Sequence, residues 1–202
     1  MSNIRLFFSN TLSTDMTDKL DKSQSHYLTK VMRIKENEVF SLFNKNGEWE
    51  AKILIISKNI VEFKTTKQLR QKKNTKELWL AFSPIKSNYQ NFMIQKATEL
   101  GVTKFLPIIF DRTVVRKINS ERLEKIVIEA SEQSNRIDVP KIEEPQNLNN
   151  FLKNNLMDLI FTDLNSKNNK IDKSKLTDRP VCIIIGPEGD FSEAEREEIL
   201  SF

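Results

Sequence analysis

Apolar and polar positions alternate in two different rhythms along this 202-residue chain. Through residue 66 the apolar residues come in short runs: Ile4 to Phe8, Val39 to Phe43, Glu48 to Ile56 and Ile60 to Thr66. Runs of that length predict β-strands. Asn44-Lys45-Asn46-Gly47 predicts a tight turn, because Asn and Gly tolerate positive φ, and Ser57-Lys58-Asn59 predicts the next. Within Glu48 to Ile56, alternation places Trp49, Ala51, Ile53 and Ile55 on one face. Short strands joined by tight turns predict a small barrel, interrupted by one helix around His26 to Met32.

From residue 77 the rhythm lengthens. Leu78-Trp79-Leu80-Ala81-Phe82 is a continuous apolar run, the pattern of a strand buried on both faces. Ser87 with Gln90 has the spacing of a capping box. The helix it opens carries Met93, Ala97 and Leu100 on one face and ends at Gly101. A strand over Phe105 to Phe110 comes next, then a helix from near Ser120 with Leu123, Ile126, Val127, Ala130 and Ser134 at core spacing. A short helix is expected over Leu148 to Leu156, and strands over Leu159 to Thr162 and Val181 to Ile185. The last strand runs into Gly186-Pro187-Glu188-Gly189, and Ser192 with Glu195 opens a final helix with an acidic first turn. Strands alternating with helices predict an α/β domain with a mainly parallel sheet, whose ligands bind beyond the carboxyl ends of the strands.

Composition narrows the classes. Apolar residues make up 38% and charged residues 30%, with 13 Phe and 2 Trp, which is enough for a core. One Cys and one His exclude a disulfide framework and Cys- or His-based metal sites. No apolar run reaches the length of a membrane span, and the first residues lack a signal-peptide apolar region, so a cytoplasmic protein with no membrane partner is expected. The net charge of +4 is unevenly spread: residues 1–76 carry 15 Lys/Arg against 8 Asp/Glu, and residues 77–202 carry 17 against 20. A basic first part suits a polyanion. Lys64, Lys67, Arg70, Lys72, Lys73 and Lys76 form a run without an acid, either a polyanion contact or a solvated linker.

Candidate chemistry falls in three places. The Gly-Pro-Glu-Gly turn follows a buried strand, where it is either an ordinary turn or one that brings backbone amides close to a ligand such as a nucleotide. Glu129, Gln133 and Arg136 have the i, i+4, i+7 spacing of a polar helical stripe. Lys86, Gln95, Lys96, Glu99 and Arg112 form a third group, with Arg112 and Arg116 beyond a strand end where they suit a phosphate. His26 reads as a packed or surface residue and Cys182 as inert core.

Together these segments resemble the RsmE-type 16S rRNA (uracil-N3)-methyltransferases of the SPOUT class, essentially from end to end. Arg5-Leu6-Phe7-Phe8 resembles the family's opening Arg-x-Phe, and His26-Tyr27-Leu28 with Val31-Met32-Arg33 its His…Val-Leu-Arg helix. Lys86 after Pro84 matches Pro-x-Lys, and Gln95 to Val102 matches a long and specific Gln-Lys-Ala-Thr-Glu-Leu-Gly-Val segment. Arg112-Thr113 matches an Arg-Ser or Arg-Cys pair, and Glu129-Ala130, Gln133-Ser134, Arg136 and Pro140 match another helix. Ile185 to Phe191 matches Ile-Gly-Pro-Glu-Gly-Gly-Phe, with Asp190 in place of the last Gly.

The resemblance implies a mixed α/β protein with a PUA-like RNA-binding barrel over residues 1–70 and an α/β trefoil-knot methyltransferase domain over residues 76–202. It implies S-adenosyl-L-methionine as cofactor, N3 of one uridine in 16S rRNA of the small ribosomal subunit as target, and a homodimer. Carried over by residue, Leu164, Ile185, Gly186, Pro187, Glu188 and Gly189 are expected at the cofactor. Arg5, Arg33, Lys86 and Arg112 are expected to hold RNA. Glu188 and Arg136 are nominated for catalysis, since the N3 proton must leave and the resulting anion needs a cation; no metal is required. Glu129 and Gln133 suit a dimer interface. The family pattern continues past the helix after Gly-Pro-Glu-Gly with a strand, a Leu-Gly…Ile-Leu-Arg loop and a helix that complete the pocket and knot. The domain is therefore expected to be incomplete at Phe202. Two expectations follow: a partial sequence of an active methyltransferase, or an RNA-binding protein without that activity.

Overall fold

The computed structural model of the chain describes residues 4–72, 76–166 and 170–202. They form two compact units: Met1–Lys73 with Ser131–Val139, and Asn74–Ala130 with Pro140–Phe202.

In the first unit, β1 (Arg5–Phe7), β2 (Thr17–Lys19), β3 (Val39–Asn44), β4 (Gly47–Ser57) and β5 (Ile60–Gln71) form one sheet in the order β1-β3-β4-β5-β2. β1 pairs parallel with β3, and the other pairs are antiparallel. Asn44 pairs with Gly47, so Lys45-Asn46 is the hairpin loop, and Gly47 takes φ +151. Helix α1 (Lys22–His26) starts earlier than the sequence pattern places it. Asp21 caps it by accepting from the Gln24 amide at 2.8 Å, and it continues as a π-helical turn over Tyr27–Val31. Leu6, Leu28, Phe40, Leu42, Trp49, Ala51, Ile53 and Phe63 fill the core, where Phe63 meets Phe8 and Phe40 edge-on. Ile55 is the exception to the expected face: it is 51% exposed, while Ile56 packs against the core. A register shift between Ile53 and Ile55 inserts a residue, and a one-residue slip turns every later side chain to the opposite face. The basic run also changes character, since Lys64, Lys67 and Arg70 belong to β5 and not to a linker. They face cross-strand and loop acids: Asp15 at 2.8 Å for Lys64, Glu50 at 3.6 Å for Lys67, and Glu48 for Arg70. Lys73 of that run lies outside the described residues.

In the second unit, β6 (Leu78–Phe82), β7 (Lys104–Ile109), β8 (Lys141–Ile142), β10 (Asp158–Phe161) and β11 (Val181–Ile185) form a parallel sheet in the order β10-β11-β6-β7-β8, and the short β9 (Gln146–Asn147) also pairs with β7. The helices are α2 (Ser87–Glu99), α3 (Ser120–Gln133), whose last turn belongs to the first unit, α4 (Leu148–Asn154) and α5 (Glu193–Ser201). One core joins Trp79, Ala81, Leu106, Ile108, Cys182 and Ile184 of the sheet to Phe151 of α4 and Ile199 of α5. The alternate positions Leu80, Phe82 and Phe105 are buried as well, as are Ile94 of α2 and Leu123 and Val127 of α3. Burial on both faces explains the unbroken apolar runs. The Ser192–Glu195 capping box forms as its spacing predicts. The Ser87–Gln90 box does not, because Lys86 and not Ser87 is the N-cap of α2 and the Gln90 carboxamide oxygen accepts from the Ile85 amide at 3.1 Å. Helix α2 accordingly buries Gln90, Ile94 and Thr98, and Leu100 is 81% exposed.

The segment Ser131–Val139 joins the first unit through a buried charge network. Glu48 accepts from Arg5 Nε at 3.0 Å and from Arg70 Nε at 2.6 Å, and its side chain is only 5% exposed. Arg5 Nη1 donates to the carbonyls of Ser131 at 3.3 Å and Glu132 at 2.9 Å, and Nη2 donates to that of Arg136 at 2.7 Å. Arg70 donates to the carbonyl and side chain of Asn135. The carbonyls of Ser131 and Glu132, in the last turn of α3, are thus met by a cation. Burial alone would push the Glu48 carboxyl up, but the hydrogen bonds and charges of Arg5 and Arg70 outweigh it and hold it below its ordinary value. Its contribution to stability is therefore complete at neutral pH and is lost as pH falls through that depressed value. Glu48→Ala leaves two guanidinium groups without their carboxylate and should cost about 3 kcal/mol in urea denaturation at neutral pH, with the difference shrinking in acid.

Candidate active site

Parallel pairing sends the carboxyl ends of β10, β11, β6 and β7 to one edge of the second unit's sheet. The chain leaves β11 through Gly186-Pro187-Glu188-Gly189, and the Asp190 amide donates to the Pro187 carbonyl at 2.9 Å. Gly186 is required by space. A Cβ there would lie 2.5 Å from the ring of Phe191, which is buried edge-on between Phe110 and Phe161. Gly189 packs beside Arg112, whose Nη1 donates to the Gly189 carbonyl at 2.9 Å.

Further bonds tie the neighbouring strand ends to this turn. Ser83, after β6, donates its amide to the Ile185 carbonyl at 3.1 Å, and its hydroxyl lies 2.9 Å from that of Thr113, beyond β7. The Asp111 amide donates to Glu195 at 2.8 Å, and the Ser192 hydroxyl donates to Asp111 at 2.8 Å. After β10, the Thr162 hydroxyl donates to the Ile184 carbonyl at 2.7 Å, and Asp163 accepts from the Asn165 amide at 3.1 Å. Arg196 of α5, with an 8% exposed side chain, pairs with both Asp163 and Asp190. The Asn165 amide and the Arg196 guanidinium hold the Asp163 carboxyl below its usual range, and Asp163 in turn raises Arg196. Between these anchored groups two apolar side chains stay open, Leu164 at 89% and Ile185 at 42% exposure. Exposed apolar side chains beside the polar backbone of a glycine turn fit a ligand with a flat apolar ring and a polar rim.

The structure thus gathers Leu164, Ile185, Gly186, Pro187, Glu188, Gly189 and Arg112 at one sheet edge. Glu188, Arg112 and Lys86 are exposed, Lys86 as the residue preceding α2. Arg33 is exposed at φ +56 in the first unit. Arg5 does not face outward: its side chain is 10% exposed, and its guanidinium is engaged by Glu48, three carbonyls and the Phe43 ring. The stripe through Glu129, Gln133 and Arg136 is broken, because α3 ends at Gln133 and Asn135 turns the chain at φ +62. Arg136 pairs instead with Asp138 at 2.8 Å. Burial pushes the Cys182 thiol up to about 12, which leaves it protonated and unreactive. Sequence reasoning missed Asp163, Arg196 and Glu48, and it read Arg70 only as part of a basic run. Each is a charged residue with a partner distant in sequence, 33 residues between Asp163 and Arg196 and 22 between Glu48 and Arg70, and the acidic neighbours of Arg196 gave no local sign of burial.

Residues 71–201 match the model of an RNA methyltransferase domain. The chain belongs to the RNA methyltransferase family. Residues 20–66 match the PUA domain of RNA methyltransferases, which accounts for the strand-rich first unit. The chain is 38% identical to ribosomal RNA small subunit methyltransferase E of Rickettsia conorii, over 88% of this chain and 74% of that protein. It is 30% identical to the protein of the same name from Buchnera aphidicola, over 98% and 82%. Among solved structures, the small subunit methyltransferase E of Neisseria gonorrhoeae bound to S-adenosyl methionine superposes with a TM-score of 0.87, at 25% identity over 98% of this chain and 85% of that one. A putative methyltransferase of Legionella pneumophila, in complex with the same cofactor, gives 0.85 at 26% identity over 100% and 86%. The mixed α/β fold expected from the sequence is the fold of these methyltransferases. Among the described residues no helix is long and apolar enough to cross a membrane.

Gly186→Ala should cost about 2 kcal/mol in urea denaturation, since the new methyl must displace a fully packed ring. Adding Phe191→Leu should recover part of that loss; a Gly186→Ala protein as stable as the parent would show that the ring has room to move.

Proposed function

We propose that this protein transfers a methyl group from S-adenosyl-L-methionine to N3 of a uridine in 16S rRNA, acting on the small ribosomal subunit as a homodimer. The observation that carries the reading is the glycine turn after β11, with Leu164 and Ile185 exposed beside it, in a chain 38% identical to a small subunit methyltransferase. Leu164, Ile185 and the backbone of Gly186 to Gly189 would hold the cofactor. Bound there, S-adenosyl-L-methionine supplies a methyl group already activated by its sulfonium.

The protein's own task is then to orient the uracil and to manage its N3 proton. Glu188 is the proposed base: its carboxylate is exposed on the turn, free of any described ion pair. Arg136 is the proposed cation for the uracil anion formed as the proton leaves. Arg33, Lys86 and Arg112 are exposed cations suited to RNA phosphates. Arg112 would do so beside the turn, through its bond to Gly189. The second copy of the dimer would cover apolar side chains that the second unit leaves open, such as Tyr89, Phe92 and Leu100.

Incubating the chain with labelled S-adenosyl-L-methionine and unmodified small subunits should label one uridine of the rRNA at N3. Glu188→Gln should lower the single-turnover rate by about 100-fold while cofactor affinity, read by calorimetry, changes little. Absence of cofactor binding and of methyl transfer by the parent chain would overturn the reading. Sedimentation of a monomer at micromolar concentration would overturn the dimer.

A further inference from the structure

We propose that Arg196 is a positioning residue that locks the two loops of the cofactor cradle together, and that Asp190 is its second anchor. The inference rests on the cofactor site proposed above and adds the device that fixes its shape. Arg196 projects from the first turns of α5 and reaches two carboxylates on different loops: Asp163 after β10 and Asp190 after β11. The Asn165 carboxamide lies 3.2 Å from both terminal guanidinium nitrogens. A planar guanidinium presents its donors in a rigid fork, so it can bridge two acids and fix the distance between them, which an ammonium cannot do. At 8% exposure the side chain is largely shielded from solvent, so its pairs are screened less than surface ion pairs.

Each anchor governs a loop. Asp163 accepts from the Asn165 amide, and its carbonyl accepts from Ser166, which sets the turn that carries the exposed Leu164. Asp190 closes the turn through the bond of its amide to Pro187, and its side chain also accepts from the Phe191 amide at 2.9 Å. Asp190 does so at φ +64, a backbone conformation that glycine adopts at less cost. An aspartate here therefore carries backbone strain that its two side-chain bonds offset. Glu193 adds a distant, exposed contact to Arg196 at 3.8 Å.

Asp190→Gly separates the clamp from the turn. It relieves the backbone and removes one anchor. Calorimetry with S-adenosyl-L-methionine and with its demethylated product reads binding independently of catalysis, and urea denaturation reads the fold. Asp190→Gly is expected to weaken both ligands by about 10-fold while the unfolding midpoint holds or rises. Arg196→Met should weaken them at least as much, Arg196→Lys should restore only part, and the double variant should be no worse than Arg196→Met, because both changes open one clamp. Asp190→Gly binding within twofold of the parent, or effects that multiply in the double variant, would overturn the proposal. Hydrogen exchange of the ligand-free chain distinguishes this from failure of the functional reading. Even if the parent binds no cofactor, loss of Asp190 or Arg196 must speed exchange at Asn165 and Ser166, whose amides donate to Asp163, and unchanged exchange there sinks the clamp.

Discussion

Parallel strands deliver all their carboxyl ends to one edge of a sheet, and in the second unit that edge collects the turns after β10, β11, β6 and β7. Each turn has to end a strand, satisfy its own backbone and begin a path back to the opposite edge. The central turn, after β11, does this with Gly186 pressed against the Phe191 ring and with Ser192 and Glu195 capping α5. Its neighbours are bonded to it through Thr162, Ser83, Asp111 and Arg112. The candidate site is therefore a stitched edge and not a single loop.

The same physical problem is met twice in the molecule, with similar means. A charge removed from water must find an opposite charge and fill its hydrogen-bonding positions. In the first unit Glu48 answers it with Arg5 and Arg70, which also take up the carbonyls at the end of α3. In the second unit Arg196 answers it at its two terminal nitrogens with Asp163 and Asp190, while its buried Nε has no hydrogen-bond partner among the described residues. In both cases one buried ion holds two segments that are far apart in sequence. Arg33, Lys86 and Arg112 belong to neither network and are exposed.

Much of this was legible before any coordinates. Strand Leu78–Phe82, the Asn44–Gly47 hairpin, the end of α2 at Gly101 and the Ser192–Glu195 box are local features whose residues carry their own signals. What misled was also local. The face assigned to Ile55 assumed unbroken alternation, which a bulge interrupts. The Ser87–Gln90 spacing was that of a capping box, but Gln90 found Ile85 instead. The Glu129–Arg136 stripe assumed a helix that Asn135 had already ended. Arg5 resembled a free cation because its partners lie 43 and more than 120 residues away.

The sequence by itself determined the class of both units, the place of the glycine turn at a strand end and the family, because periodicity, turn chemistry and contiguous motifs are written in neighbouring residues. Tertiary structure decided which charged residues face outward and which are locked inside, because that depends on partners brought together by strand pairing and not on sequence distance. Arg112 and Arg196 are both arginines beside the same turn. One is exposed and holds a backbone carbonyl, and the other is buried between two aspartates.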